Sequence, residues 1–283
     1  MKTVKIIGVP EHFNFAWLLA IEEGAFETRG INLVWTDVPE GTGKMCTMLE
    51  EGQADLAIIL TEGIVKSITE GNPVKIIQEY IATPLQWGIH VAADSEFQNI
   101  ADLQNATVAI SRFGSGSHLM SFVNAQSNKW DTSSLNFHVV NTLDGAIEAL
   151  KLRKADYFMW EHFTTKPIVD SGIFRRIADC PTPWPCFVIA AAESFLNNHK
   201  GTLLHILEVI NLYTTEFKHI PSIDRTIANK YEQRIEDVRE WLGITEWSQS
   251  QISKETIDIV QDYLLKLKLI NNKLDIDKLI TSL

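Results

Sequence analysis

The chain has 283 residues, 45% hydrophobic and 22% charged, with 25 Lys and Arg against 36 Asp and Glu for a net charge of −11. That length and mix suit a globular protein with one large core or two ordinary ones. The acidic balance, with no Lys/Arg run, argues against a nucleic-acid or anionic-membrane partner.

Residues 4–9 read as a strand and 16–27 as an amphipathic helix stopped near Arg29-Gly30. A half-exposed strand follows at 31–38, then a helix opened by Gly41-Thr42-Gly43 and running to Glu51. Residues 55–60 form a buried strand, 62–70 a short helix closed by Gly71-Asn72-Pro73, and 74–80 and 88–92 two more strands. A second series then begins: strand 107–111, helix 115–129, strand 136–140, helix 144–154, strand 156–160 and a returning strand at 187–192. From Ser194 onward the pattern is helical, with Glu193-Ser194 as a cap and segments to about His219, from Pro221, and at 234–242, 252–268 and 275–283. Strand–helix alternation followed by a helical tail predicts an α/β fold with mixed, mostly parallel sheets covered on both faces.

The two series share a local plan. Leu49 is followed after four residues by Ala54-Asp55 and an apolar strand that ends at Thr61-Glu62. Leu150 is followed after four residues by Ala155-Asp156 and an apolar strand that ends at Trp160-Glu161. Two similar lobes with loops at the carboxyl ends of their strands predict a ligand cleft at those ends. If the tail packs back on the first lobe, that lobe comprises 1–92 plus 188–283 and the second 93–187. The hinge strands then fall near 90–100 and 183–190, the latter marked by Pro181, Pro183 and Pro185.

Candidate ligand-binding residues follow from this placement. Gly114, Ser115, Gly116, Ser117 and His118 join a strand to a helix. Glycines admit close backbone approach, serines offer hydroxyls, and a helix start presents unpaired N–H groups suited to an acid or a ring carbonyl. A simple capping turn is the other reading of this run. Gly41 and Thr42 are the first-lobe counterpart, and Gly41-Thr42-Gly43-Lys44 lacks the spacing of a P-loop. Glu11, His12, Phe13 and Asn14 follow the first strand. Thr61 and Glu62, and Trp160 and Glu161, end the two echoed strands. Glu62 and Glu161 read either as solvated surface acids or as pocket carboxylates. In the second case they favour an amine-bearing or heterocyclic ligand over a bare anion. Trp160 and Trp184 could stack on a flat or cationic ligand.

No nucleophile–base pair or metal-ligand spacing is visible, so no catalytic residue, metal or cofactor is assigned. Cys46, Cys180 and Cys186 read as small buried hydrophobes, although Cys180 and Cys186 could pair in a loop. The apolar stretch 15–21 is too short for a membrane helix and, closed by Glu22-Glu23, does not read as a secretion signal. The expectation is a soluble chain, cytoplasmic as written, or periplasmic if a leader has been removed.

The ordered phrases "AIEEGAFETRGINL", "LEEGQADLAI", "EGNPVKII", "IADLQNATVAI", "GSGSHLM" and "ALKLRKADYFMW" resemble the type II periplasmic substrate-binding proteins of ABC importers. Within these, the chain is similar to the nitrate, sulfonate and taurine group and to the related thiamine-pyrimidine-precursor family. The resemblance spans residues 3–195. It implies a two-lobed protein, with the helical segment on lobe 1, that closes by hinge motion around a small polar ligand and docks on a membrane permease. It also leaves two alternatives behind that leading reading. One is a cytosolic enzyme on the same fold, such as a chorismate-dehydratase-like or pyrimidine-synthesis enzyme, although the cysteine-rich run of the pyrimidine synthase is absent. The other is a ligand sensor. Oligomeric state is open.

Overall fold

The computed structural model describes residues 1–281. It divides into two compact units, Met1–Thr83 with Trp184–Leu283, and Pro84–Pro183. The chain passes between them at Thr83–Pro84 and at Pro183–Trp184.

The first stretch of chain forms β1 (Lys2–Gly8), α1 (Phe15–Glu22), β2 (Ile31–Asp37), α2 (Thr42–Glu50), β3 (Leu56–Leu60), α3 (Thr61–Thr69) and β4 (Val74–Ile81). The second forms β5 (Gln86–Ala92), β6 (Thr107–Ile110), α4 (Gly116–Ser127), β7 (Asn136–Val139), α5 (Leu143–Lys151), β8 (Tyr157–Glu161), α6 (Lys166–Asp170) and β9 (Phe174–Pro181). The return supplies β10 (Phe187–Ala192), then α7 (Glu193–Glu216), α8 (Ile223–Lys230), α9 (Ile235–Ile244) and α10 (Lys254–Lys266).

Each unit holds one five-stranded sheet, ordered β2-β1-β3-β10-β4 in the first and β7-β6-β8-β5-β9 in the second. In both, three parallel strands are followed by an antiparallel one. That antiparallel strand is the one that follows the other sheet's last strand: β5 comes after β4 and joins the second sheet, and β10 comes after β9 and joins the first.

The Ala-Asp echo has a specific mechanical job. Asp55 Oδ2 accepts the Lys5 N–H at 2.8 Å while the Asp55 N–H donates to the Lys5 carbonyl at 2.9 Å. Asp156 repeats this on Thr107, with 2.7 and 2.8 Å. Each aspartate therefore clasps the entry of its strand to the neighbouring parallel strand and sets the register. The strands beyond are apolar because they are buried on both faces: Leu56, Ala57, Ile58 and Ile59 in β3, and Tyr157, Phe158 and Met159 in β8, are all fully enclosed.

Several expectations change. Residues 88–92 belong to the second sheet, where β5 lies between β8 and β9, so the boundary at 92 and a hinge at 90–100 do not describe the structure. β9 was not foreseen, because Arg175, Arg176 and Asp179 break its apolar alternation. It is a half-exposed edge strand that tolerates charge. The sheets are mixed, as expected, with a single strand in each, β10 or β5, running against the other four. The first helix ends at Glu22 rather than Glu27. Ser194 does not cap α7, which starts after Ala192 without a side-chain cap and is kinked at His199.

Residues 275–281 are not a helix. A 3-10 turn at Ile276–Lys278 is followed by a parallel bridge from Ile280 to Ile76, while Trp247 bridges Ile81. These two contacts occupy the open edge of β4, which otherwise presents unpaired backbone groups. Ser282 and Leu283, the end of that expected helix, lie outside the described residues. Among the described residues no helix is long and apolar enough to cross a membrane.

Candidate functional site

In the first unit the loop after β1 is held from three sides. The Tyr80 hydroxyl donates to the Phe13 carbonyl at 2.8 Å, Tyr231 donates to the Glu11 carbonyl at 3.3 Å, and Asn14 Nδ2 donates to the Val9 carbonyl at 2.8 Å. His12 and Phe13 turn into the unit's interior. His12 stacks on Phe13 at 4.9 Å and meets Trp241 edge-on at 4.3 Å, and Phe13 also packs on Phe187. Burial without a partner for Nε2 lowers the His12 pKa to about 3, so the ring is neutral at physiological pH. Glu11 and Asn14 instead line a surface cavity.

β3 runs directly into α3 with no loop between them. Thr61 sits in the first turn, fully buried, with its hydroxyl donating to the Pro185 carbonyl at 2.6 Å. Glu62 is 2% exposed, and its Oε2 accepts the Trp184 indole N–H at 2.8 Å. Trp184 is therefore buried inside this unit, also touching Tyr263 at 5.3 Å. Burial raises the Glu62 pKa to about 7, against the opposing bonds from its own backbone N–H and from Trp184. Its second oxygen, Oε1, has no partner. Thr42, the first residue of α2, packs against Gly63. A β-carbon at Gly63 would lie 2.2 Å from Thr42 Cγ2, so the starts of α2 and α3 touch through a bare glycine. Gly41, with φ of +77°, caps α2 in the left-handed region that favours glycine.

In the second unit the 114–118 run builds the start of α4. Ser115 is the N-cap and its hydroxyl accepts from the His118 N–H at 3.4 Å. Ser117 is buried, accepting the Ser111 N–H at 3.0 Å and lying 3.1 Å from the Ser115 hydroxyl. His118 Nδ1 accepts the Gly114 N–H at 3.1 Å, and its ring is ringed by Phe113, Phe122 and Phe137. Burial lowers the His118 pKa. The N–H groups of Gly116 and Ser117, first in the helix, have no acceptor within it.

Glu161 is the last residue of β8, 3% exposed, with Oε2 accepting the Thr164 N–H at 2.6 Å and Oε1 without a partner. Burial raises its pKa as well. Trp160 stacks on Phe158 at 5.5 Å and meets Trp87 edge-on at 6.3 Å, remaining part-exposed.

Thus each unit gathers its expected residues at its own strand ends. His12, Phe13, Thr61 and Trp184 are enclosed there, while Gly41, Thr42, Gly114, Gly116 and Trp160 keep access to solvent. Seven residues lining the cavity beside Glu11 were not among the expected site residues, Trp35, Asp37, Lys230 and Tyr231 among them. Trp35 and Asp37 do close a strand, a signal the sequence offered. Lys230 and Tyr231, in the helical tail, gave none. Cys46, Cys180 and Cys186 form no disulfide. Among the described residues no cluster of three His, Cys, Asp or Glu side chains is placed to hold a metal ion.

Residues 87–180 match the model of a family described as Ca3427-like PBP. No curated protein matches the sequence. Among solved structures, the Candida albicans CA3427 gene product, described as defining a new family with the generic periplasmic binding protein fold, superposes with a TM-score of 0.90 at 24% identity. The match covers 99% of this chain and 96% of that one. The alkanesulfonate-binding protein SsuA of Xanthomonas axonopodis pv. citri, bound to MOPS, gives 0.84 at 13% identity over 100% and 99%. The periplasmic aliphatic sulphonate binding protein SsuA of Escherichia coli gives 0.75 at 16% over 100% and 94%. The architecture is the type II periplasmic-binding-protein fold.

Proposed function

We propose that this chain is a non-catalytic binding protein that captures one small polar molecule at strand-end groups, as the solute receptor of an importer-like system with a membrane permease as partner. The observation that carries this reading is the pair of buried glutamates. Glu62 and Glu161 each have one oxygen held by a local donor and the other unpartnered. A buried polar atom left without a partner is costly, and a ligand bearing N–H or O–H groups would satisfy it. In the ionised form, which Glu62 takes above pH about 7, these acids disfavour a bare nitrate or alkyl sulfonate, so the ligand carries a hydrogen-bond donor, as an amine or a nitrogen heterocycle does. The N–H groups at the start of α4, which have no acceptor within the helix, suit a carbonyl or acid elsewhere on that molecule.

Catalysis has less support. Ser111, Ser115 and Ser117 bond to one another and to backbone N–H groups, and the His118 Nδ1 is already occupied by Gly114. No imidazole therefore engages a serine of this cluster as a base would.

A thermal-shift screen of pyrimidines, amines, sulfonates and nitrate is expected to return a donor-bearing compound that raises Tm in proportion to its concentration. Glu161→Gln, in the second unit, should weaken that compound at least tenfold without changing the fold. Stabilisation by nitrate or alkyl sulfonates alone would overturn the ligand preference, and turnover of a bound compound would overturn the non-catalytic reading.

A further inference from the structure

The first unit has a cavity of about 210 Å³ at the carboxyl ends of β1 and β2, lined by Val9, Pro10 and Leu18 and by Trp35 and Tyr231. Three charged side chains line it: Glu11 and Asp37, which are acidic, and Lys230. Asn14 lines it too.

The walls are fixed. Trp35 donates its indole N–H to Asp37 Oδ1 at 2.8 Å, which orients both side chains. The indole lies against the bare backbone of Gly8, where a β-carbon would stand 2.5 Å from Trp35 Cη2, so glycine there is a condition of the cavity's shape. Tyr231 is tethered to the Glu11 carbonyl. The Lys230 ammonium stands over the rings of Phe15 and Tyr231, at 5.7 and 6.0 Å from their centroids.

A second observation points to a ligand. Asn14 is 1% exposed, and its amide orientation is settled, because Nδ2 faces the Val9 carbonyl, which can only accept. That leaves Asn14 Oδ1 buried with no donor. An acceptor in this state calls for an N–H or O–H group from outside the chain.

We infer that this cavity binds a small zwitterion of amino-acid size. Its ammonium is taken by the Asp37 carboxylate and Asn14 Oδ1, with Glu11 adding negative charge to the same lining, and its acid group is taken by Lys230. Two carboxylates and one ammonium around a cavity complement a molecule carrying both charges better than a plain cation or a plain anion, because each end meets its opposite and neither meets only its like. The Trp35 and Tyr231 rings add a face on which the ammonium can rest. All of these groups lie in the first unit. The inference rests on the reading of the chain as a binding protein and assigns the charge class of a ligand at this cavity, whose lining does not include Glu62 or Glu161.

The test is isothermal titration of the whole chain with glycine, β-alanine and 4-aminobutyrate, using ethylamine and propionate as single-charge controls. At least one zwitterion is expected to bind tenfold or more tighter than either control. Asp37→Asn, which keeps an acceptor for Trp35, should weaken it at least tenfold. Lys230→Met, which keeps the apolar stem, should weaken the zwitterion while leaving ethylamine unchanged or tighter. Controls that bind as well as the zwitterions, variants without effect, or zwitterions that do not bind at all would each overturn the inference. If the zwitterions fail but another compound stabilises the protein in the thermal-shift screen, only the charge class falls; if nothing binds in either experiment, the binding reading falls with it.

Discussion

Replacing Glu62 with Gln tests whether burial keeps this acid protonated. Glu62 moves from an ordinary 4.5 to about 7 in the folded chain. The folded state therefore holds a proton between those values that the unfolded chain has released. The stabilisation this gives is fully present below pH 4.5 and is lost as pH rises to about 7. At ~1.4 kcal/mol per pH unit the loss amounts to about 3 kcal/mol. Gln mimics the neutral acid, retains an acceptor for the Trp184 indole, and does not titrate.

The wild-type pH profile alone is not diagnostic. His12 and His90 have pKa values lowered by burial to about 3 and about 4, and their contributions fall as pH drops below 6.5, opposing Glu62 over the same range. The difference between variant and wild type isolates the glutamate. Urea unfolding followed by circular dichroism at pH 5, 6, 7 and 8, fitted with one transition per unit, is the assay. Glu62→Gln is expected to match the wild type near pH 5 and to exceed it by about 2–3 kcal/mol at pH 8, in the transition of the first unit. A difference independent of pH, or a variant weaker than wild type at pH 8, would refute the claim that desolvation governs this carboxyl.

His12→Phe keeps an aromatic ring between Phe13 and Trp241 and removes a buried base, so it should reduce the acid loss of stability between pH 6.5 and 4, read by the same titration. Gly63→Ala places a methyl 2.2 Å from Thr42 Cγ2 and should cost about 1–3 kcal/mol, with Thr42→Ser restoring most of it in a double-mutant cycle. Asp156→Ala removes the clasp on the Thr107 N–H and should cost about 1–3 kcal/mol in the second unit's transition only, while Asp55→Ala does the same in the first unit's.

The repeated series could be read from the sequence because its signals are local. Ala-Asp before an apolar run marks a strand entry, and the clasp needs only that dipeptide and one neighbouring strand. The serine-and-glycine start of α4 was equally readable, since a helix cap is set by adjacent residues. The position of Glu62 and Glu161 at strand ends followed as well, although the two are not equivalent: Glu62 lies in the first turn of α3, while Glu161 is still within β8. What the sequence concealed depends on distant pairing. β9 carries two arginines and an aspartate because one of its edges is open, and the tail at 280 gives up helix for a bridge to Ile76. Neither is encoded by a periodicity that a window of residues could show.

The strand exchange explains why the candidate site was only half legible. Each repeated series brings its own parallel trio and its own strand-end acid, but the antiparallel strand that completes each sheet arrives from the far end of the other series. The residues that complete the surroundings of the acids come with those arriving strands. Trp184, which holds Glu62, immediately precedes β10 together with Pro185, whose carbonyl accepts from Thr61. Trp87, which is paired with Glu161 and packs on Trp160, belongs to β5. A strand end can be read from its own series. Whether Glu62 faces water or is closed over by an indole is decided 122 residues away in the chain, whereas Glu161 is held by Thr164 of its own series. Both, equally readable as solvated carboxylates, are buried acids each with one oxygen left to bond.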